Sequence, residues 1–287
     1  MRLKSDLALL LAALVWGTGF VTQRVAADEN VGVFVFNAFR FLLGGLILVP
    51  FIFRRPLPAK QAFPKIVITG AFLFCGSALQ QAGLEFTTAG NAGFITGLYV
   101  VFVPLLLLFI WRKRNSLQSW LAAILAVFGI WLLSGNGKPE LAPGDGLVLL
   151  GAVFWALHMI FVGKYASGID FVWFAAGQYM VAGLFHLVLG VGLEASTIPN
   201  LSQVVWVVAY NGIFSVACGF TLQVIGQKHS PPNDAAIILS MESVFAVIFG
   251  FIFLQERLSL IQILGCLSIL AAMLMVQLWR PVEKTVA

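Results

Sequence analysis

The chain has 287 residues, of which 60% are hydrophobic and only 10% charged, and its mean hydropathy is +0.98. A soluble domain carries about a quarter charged residues, so the composition excludes a soluble globular protein and makes lipid the solvent. The net charge of +5 would suit a nucleic-acid binder, but the basic residues fall in the short breaks between apolar runs, and no nucleic-acid partner is expected.

Ten apolar runs follow one another, each near the roughly 20 residues that a helix needs to cross the hydrocarbon at about 1.5 Å per residue. They lack the alternation of an outer-membrane barrel. Backbone groups in lipid must be bonded internally, so the runs are expected to be helices. The first, 6–27, holds Trp16 away from both ends, where it can wall a pocket or hold a cation over its face; core filling is the plain alternative. Its position resembles that of a signal peptide, with Ala26-Ala27 as a cleavage site, but its counterpart in the second half argues that it is retained. The second, 32–53, carries Arg40 roughly 13 Å below the surface by helical rise. Arg40 is read as a structural hydrogen-bonding group, with attraction of anions as the alternative. In the third, 65–84, Gly76, Gln80 and Gly83 share one helix face. The glycines are read as packing residues, and Gln80 as cavity lining or packing. The fourth, 88–110, has Tyr99 near its middle, and the fifth is 118–135. The breaks between these runs are Asp28-Glu29-Asn30, Arg54-Arg55-Pro56 and Arg112-Lys113-Arg114-Asn115, and Asn136-Gly137-Lys138-Pro139 follows the fifth.

The sixth run, 145–163, places Trp155 and His158 on one face, three residues apart. His158 is read as a cavity residue, against the alternative of a hydrogen-bonded core histidine. The seventh, 170–190, holds His186, read as structural. In the eighth, 202–225, Gly219, Gln223 and Gly226 repeat the pattern of the third. After Pro231-Pro232-Asn233 comes the ninth, 233–254, with Glu242 near the midplane. A charged carboxylate at that depth costs roughly 2.5–3.5 kcal/mol on insertion scales. Glu242 is therefore read as a substrate-contacting or proton-carrying group, against a neutral acid tying helices together. The tenth run is 259–279. Cys75, Cys218 and Cys266 all fall inside runs and are not spaced as metal ligands, so no metal, cofactor or disulfide is expected.

The chain matches itself when shifted by 143 residues. Cys75-Gly76-x-x-Leu79-Gln80-x-x-Gly83 lies over Cys218-Gly219-x-x-Leu222-Gln223-x-x-Gly226, and Tyr99 lies over Glu242. With a shift of 138 or 139, Trp16 lies over Trp155, and Gly45-Leu46 over Gly183-Leu184. The expected division is 1–137 and 138–287, two repeats of five spans. Five is odd, so the second repeat enters the membrane from the opposite side, the inverted plan of many transporters. With a cytoplasmic N-terminus, that side holds Arg2, Lys4, Arg54, Arg55, Lys60, Lys65, Arg112, Lys113, Arg114, Lys164, Lys228, Arg280 and Lys284. The outer side holds Arg24, Lys138 and Arg257, together with Asp28, Glu29, Glu85, Glu140, Asp145, Glu194 and Glu256. This is the positive-inside asymmetry. It predicts a multi-pass protein of the inner membrane with both termini cytoplasmic.

Several strings carry a family resemblance: Trp16-Gly17-Thr18-Gly19-Phe20, Arg40-Phe41, the run from Asn91 to Pro104, and Leu239-Ser240-Met241-Glu242-Ser243-Val244-Phe245-Ala246 followed by Leu254-Gln255-Glu256-Arg257-Leu258-Ser259. Together they resemble the EamA-type members of the drug/metabolite transporter superfamily over essentially the whole chain. The resemblance implies ten helices, a central cavity between the repeats, and export of amino acids, metabolites or cationic drugs. No phosphate loop, His-Glu-x-x-His string or nucleophile motif is present, so ATP-driven transport by this chain and enzymatic activity are set aside. The reading is an all-α membrane protein acting as a secondary transporter, an exporter of small molecules. Trp16, Gln80, Tyr99, Trp155, His158, Gln223 and Glu242 form its cavity, with Glu242 the site for a coupling proton. An intramembrane enzyme pairing Glu242 with a histidine, or a non-transporting sensor, is the alternative.

Overall fold

The computed structural model describes residues 2–133, 142–254 and 259–278. The expected break Asn136-Gly137-Lys138-Pro139 with its repeat boundary, the exit residues Gln255, Glu256, Arg257 and Leu258, and the charges Glu140, Arg280 and Lys284 lie outside these residues. The described backbone is helical, with no strand. Its helical segments are α1 (Arg2–Asp28), α2 (Val33–Ile52), α3 (Ala62–Leu84), α4 (Ala89–Phe109), α5 (Leu117–Leu133), α6 (Asp145–Tyr165), α7 (Phe171–Leu193), α8 (Val205–Gln227), α9 (Pro232–Phe249) and α10 (Leu260–Val276). Eight of these are long and apolar enough to cross a membrane; α5 and α10 are shorter apolar helices. Each coincides with one of the ten apolar runs. Between α7 and α8 the chain makes a 3-10 segment, Ala195–Gln203, so α8 begins three residues later than hydropathy suggests.

The helix ends are tied by side chains. Asp170 accepts hydrogen bonds from the backbone N–H groups of Val172 and Trp173 at 3.0 and 3.4 Å, capping α7. Thr88 caps α4 through the N–H of Asn91 at 3.1 Å. The start of α2 is capped from a distance: Glu194, just past α7, accepts from the N–H groups of Phe34 and Val35 at 2.8 and 3.0 Å. A carboxylate at a helix N-terminus meets both unsatisfied donors and the positive end of the helix dipole.

Three segments are interrupted halfway. α1 breaks at Gly17-Thr18, α4 at Leu98 and α9 at Ser240, while α8 runs as a π-helix over Asn211–Phe220. At two breaks a hydroxyl competes for backbone carbonyls: Thr18 Oγ1 donates to Val15 O at 2.9 Å, and Ser240 Oγ to Ile237 O at 2.7 Å. Gly17 permits its break to press against α9, since a Cβ there would lie 2.8 Å from Phe245 Cβ. Irregular backbone at membrane depth is tolerated only inside protein or beside a cavity, and these interruptions surround one.

Small residues set the helix pairs, and the pairs recur. Gly76 packs on Trp155 and Gly83 on Val148, joining α3 to α6; Gly219 packs on Trp16 and Gly226 on Leu9, joining α8 to α1. Gly45 of α2 faces Met180 of α7, while Gly183 of α7 faces Leu42 of α2. A Cβ on Gly129 of α5 would lie 2.7 Å from Gly265 O of α10, and one on Gly265 would lie 2.7 Å from Gly129 O. Close approach of this kind is how helices associate where lipid removes the hydrophobic drive between them.

Candidate functional site

A cavity of about 60 Å³ lies where the interrupted helices meet. α1 contributes Trp16 and Gln23, α2 Arg40, α3 Gln80, and α4 Thr96 and Tyr99. α6 contributes Trp155, α8 Ser215, Phe220 and Gln223, and α9 Glu242. Tyr99 and Glu242 each sit just beyond the break in their own segment. The breaks turn these side chains inward, and the irregular backbone lies against the polar space.

One wall is aromatic. The Phe220 ring lies 4.7 Å from that of Trp16 and 5.7 Å from that of Trp155, nearly parallel to the latter. Gln80 organises the polar side. Its Oε1 accepts from Trp155 Nε1 at 2.9 Å and Thr96 Oγ1 at 3.3 Å, and its Nε2 donates to Gln23 Oε1 at 3.0 Å. Opposite, Tyr99 OH donates to Glu242 Oε1 at 3.2 Å.

Gln223 does not copy Gln80. Its Nε2 donates to Gln227 Oε1 at 3.0 Å, while Trp16 Nε1 donates to Ser215 O at 3.1 Å. The indole–amide bond made by Trp155 and Gln80 is thus replaced on the other side by two separate bonds. Gln223 Oε1 is buried with no hydrogen-bond partner among the described residues.

Of the residues selected from sequence, Trp16, Gln80, Tyr99, Trp155, Gln223 and Glu242 line the cavity together. His158 does not. It is buried behind the aromatic wall, edge-on to Trp155 and Phe220 at 6.0 and 5.9 Å, and held there by Gln178 Oε1 at 2.7 Å from its Nε2. Gln23 and Arg40 line the cavity although sequence reasoning did not place them there. The available signal was an amide and a guanidinium inside apolar runs. Arg40 is 2% exposed. Its Nε donates to Asn37 Oδ1 at 2.7 Å, and its guanidinium lies 5.3 and 4.9 Å from the rings of Phe36 and Phe41. His186 bonds Ser77 Oγ at 2.9 Å and stacks on Phe41, and it is not part of the cavity lining. Among the described residues no three His, Cys, Asp or Glu converge to hold a metal.

Matching contacts close both ends of the bundle. At the end holding the N-terminus, Asp6 of α1 accepts from Ser230 Oγ at 3.2 Å, and Arg2 pairs with Asp234. At the opposite end, Asp145 of α6 accepts from Thr87 Oγ1 at 2.6 Å. There Arg24 Nη1 also donates to the carbonyls of Leu84 and Thr87 at 2.6 and 2.8 Å. An open depression of about 500 Å³ beside this second closure is lined by Arg24, Glu85 and Thr87. Burial, and then the neighbouring Glu194, push the Glu85 carboxyl above the usual carboxylate range.

The EamA-like transporter family model matches residues 3–135 and 142–278. An uncharacterized transporter of Archaeoglobus fulgidus is 31% identical over 282 residues, which cover 96% of this chain and 87% of that protein. The uncharacterized transporter YvbV of Bacillus subtilis is 28% identical, with 99% of this chain and 95% of its own length covered. A WAT1-related chloroplast protein of Arabidopsis thaliana is 26% identical over 91% of this chain and 66% of its own. A protein of known crystal structure shares the fold, with a TM-score of 0.79 at 19% identity, over 97% of this chain and 98% of that one.

Proposed function

The chain belongs to the EamA-like transporter family, and from that premise we propose that it is a secondary carrier exporting small metabolites by alternating access around the central cavity. In this reading ten spans form two inverted halves, 1–137 and 138–287. Both termini are cytoplasmic, in the inner membrane. Trp16, Gln80, Tyr99, Trp155, Gln223 and Glu242 contact the substrate, His158 braces the aromatic wall, and Glu242 carries a coupling proton.

One observation carries the reading. Tyr99 and Glu242 occupy equivalent positions under the 143-residue repeat, and they touch each other inside the cavity. Two equivalent positions meet only where a two-fold axis passes between them. A cavity on such an axis is reached in the same way from either side when the halves exchange conformations. The recurrent helix pairs support the same axis, because α3–α6 and α8–α1 are each one helix from either half. The end closures also pair across the repeat: Asp6 corresponds to Asp145 and Ser230 to Thr87. Both are formed here, which is what an occluded intermediate requires.

Counterflow in proteoliposomes tests the proposal. Vesicles loaded with unlabelled amino acids, organic acids, amines, sugars or nucleosides should accumulate the matching labelled compound for at least one class without ATP. No accumulation for any class, from well-folded protein in sealed vesicles, would overturn it. Orientation is tested separately with an impermeant thiol reagent on intact cells. A cysteine replacing Asn200 should react, and one replacing Lys113 should not.

A further inference from the structure

Arg40 lines the cavity as its one arginine among the described residues, and the ion pairs among those residues pass it by. Those pairs join Arg2 to Asp6 and Asp234, Arg24 to Asp28, and Arg55 to Asp170, all at the ends of the bundle. Glu242 shares the cavity, but its described hydrogen bond is to Tyr99, and no ion pair joins it to Arg40. A guanidinium carries five donors and does not lose its charge in proteins. One of these, Nε, is used by Asn37, which in turn is fixed by donating from Nδ2 to Ser77 O at 3.3 Å. The rings of Phe36 and Phe41 flank the group. They hold its plane and supply the π-face attraction that a cation accepts in place of water, but they accept none of its remaining N–H bonds. The site is a rigid, desolvated, forked donor facing an aromatic space whose one acid, Glu242, is bonded to Tyr99 and not to Arg40. A cation at this depth is expensive unless something of opposite charge meets it.

Resting on the transporter reading, we propose that Arg40 is the anchor for a carboxylate group of the transported molecule. The match is geometric as well as electrostatic, because a guanidinium meets a carboxylate through two parallel hydrogen bonds. A phosphate monoester fits less well. It brings a charge of about −1.5 to −2, and the cavity offers one cation beside the acid Glu242. The rest of the substrate lies along Trp16, Trp155 and Phe220. The small cavity volume restricts it to a compact molecule in the occluded state.

The test compares each acid with its own neutral twin. Short-chain and aromatic carboxylates, amino acids among them, are offered to wild-type proteoliposomes. Each is paired with its carboxamide, beside matched amines, sugars, inorganic phosphate and phosphate monoesters. Transport of at least one carboxylate is expected, with its carboxamide competing about 10- to 100-fold more weakly, the range for a lost charged hydrogen bond. Arg40→Gln should abolish that acid-over-amide preference, and Arg40→Lys, which keeps the charge but not the fork, should retain part of it. The wild-type comparison needs no variant, so a folding defect in Arg40→Gln does not blunt the test. Equal competition by acid and amide, or an acid preference that survives Arg40→Gln, overturns the proposal. Flux confined to amines, sugars or phosphates overturns it too while leaving the transporter reading intact. No flux of any class removes both.

Discussion

At the scale of single residues, the cavity is a small set of polar groups held by one another, and each invites a different substitution. Glu242 accepts from Tyr99, a bond that an amide oxygen can also accept. Glu242→Gln therefore keeps shape and hydrogen bonding while removing the ability to titrate. If Glu242 carries the coupling proton, the variant should lose accumulation driven by a pH gradient yet keep substrate exchange at a near wild-type rate. Retained pH-driven accumulation at equal expression would remove Glu242 from the coupling step. Glu242→Ala is the poorer test, because a cavity at a helix break costs stability by itself. Glu85 lies outside the spans and gives a cleaner pH experiment. Its carboxyl is raised by burial and by Glu194, so the folded protein binds its proton more tightly than an unfolded chain does. Such a group weakens the fold as pH rises above the ordinary carboxylate range of about 4.3. Glu85→Gln should then be slightly more heat-stable than wild type at neutral pH, by less than about 1 kcal/mol for so exposed a site. That difference should vanish at about pH 3, below the titration of the carboxyl in both the folded and the unfolded chain. A gain that persists in acid would mean that the charge is not its cause.

At the scale of elements, what decides the architecture is how closely helices approach, and glycine sets that distance. Gly129 and Gly265 face each other's carbonyls at a separation that leaves no room for a methyl group. Gly129→Val should therefore force α5 and α10 apart, at a cost of about 1–3 kcal/mol, read as a lowered melting temperature in detergent. Gly146→Ala is the matched control: nothing lies within 4 Å of a Cβ there, and removing a glycine from a helix should be neutral or stabilising by up to about 1 kcal/mol. If both substitutions behave alike, close packing is not what holds α5 to α10. These elements were legible in the sequence because lipid imposes a simple composition on anything that crosses it. Gly76, Gly83, Gly219 and Gly226 were legible as packing residues because they recur at a fixed shift, whereas Gly129 and Gly265 do not recur at it and were not singled out. The breaks at Gly17, Leu98 and Ser240 and the π-turns of α8 were not, since hydropathy is blind to hydrogen-bond register and no proline marks them. That is also why Gln23 and Arg40 escaped notice as cavity residues. A continuous helix gives no reason for Arg40 to share a space with Tyr99 and Glu242, whereas two interrupted helices bring all three to one place. His158 shows the converse. Its helical spacing from Trp155 suggested a common face, but the imidazole bonds Gln178, meets Trp155 edge-on and is not part of the cavity lining.

At the scale of the whole molecule, alternating access as proposed makes the two end contacts the doors that set which side the cavity faces. Asp6 with Ser230 closes the end of the bundle that holds the N-terminus, and Asp145 with Thr87 closes the other. The closures are alike but unequal, because Arg2 reinforces the first through Asp234 and Arg24 the second through backbone carbonyls. Removing one acid should shift the population toward the state open on that side, by the worth of the lost hydrogen bond and no more. A hydrogen bond of about 0.5–1.5 kcal/mol corresponds to a shift of roughly two- to tenfold. A reporter cysteine in place of Thr96, which lines the cavity, can read this shift once Cys75, Cys218 and Cys266 have been replaced. The reagent is an impermeant maleimide applied to sealed vesicles of either orientation. Asp6→Ala should accelerate labelling from the side of the N-terminus and slow it from the other, and Asp145→Ala should do the reverse. Combining the two should restore the wild-type ratio of the two rates, because each closure biases one equilibrium in opposite directions. If both single variants accelerate labelling from the same side, or from both sides equally, the acids stabilise the fold without gating it, and the alternating-access reading loses its two doors.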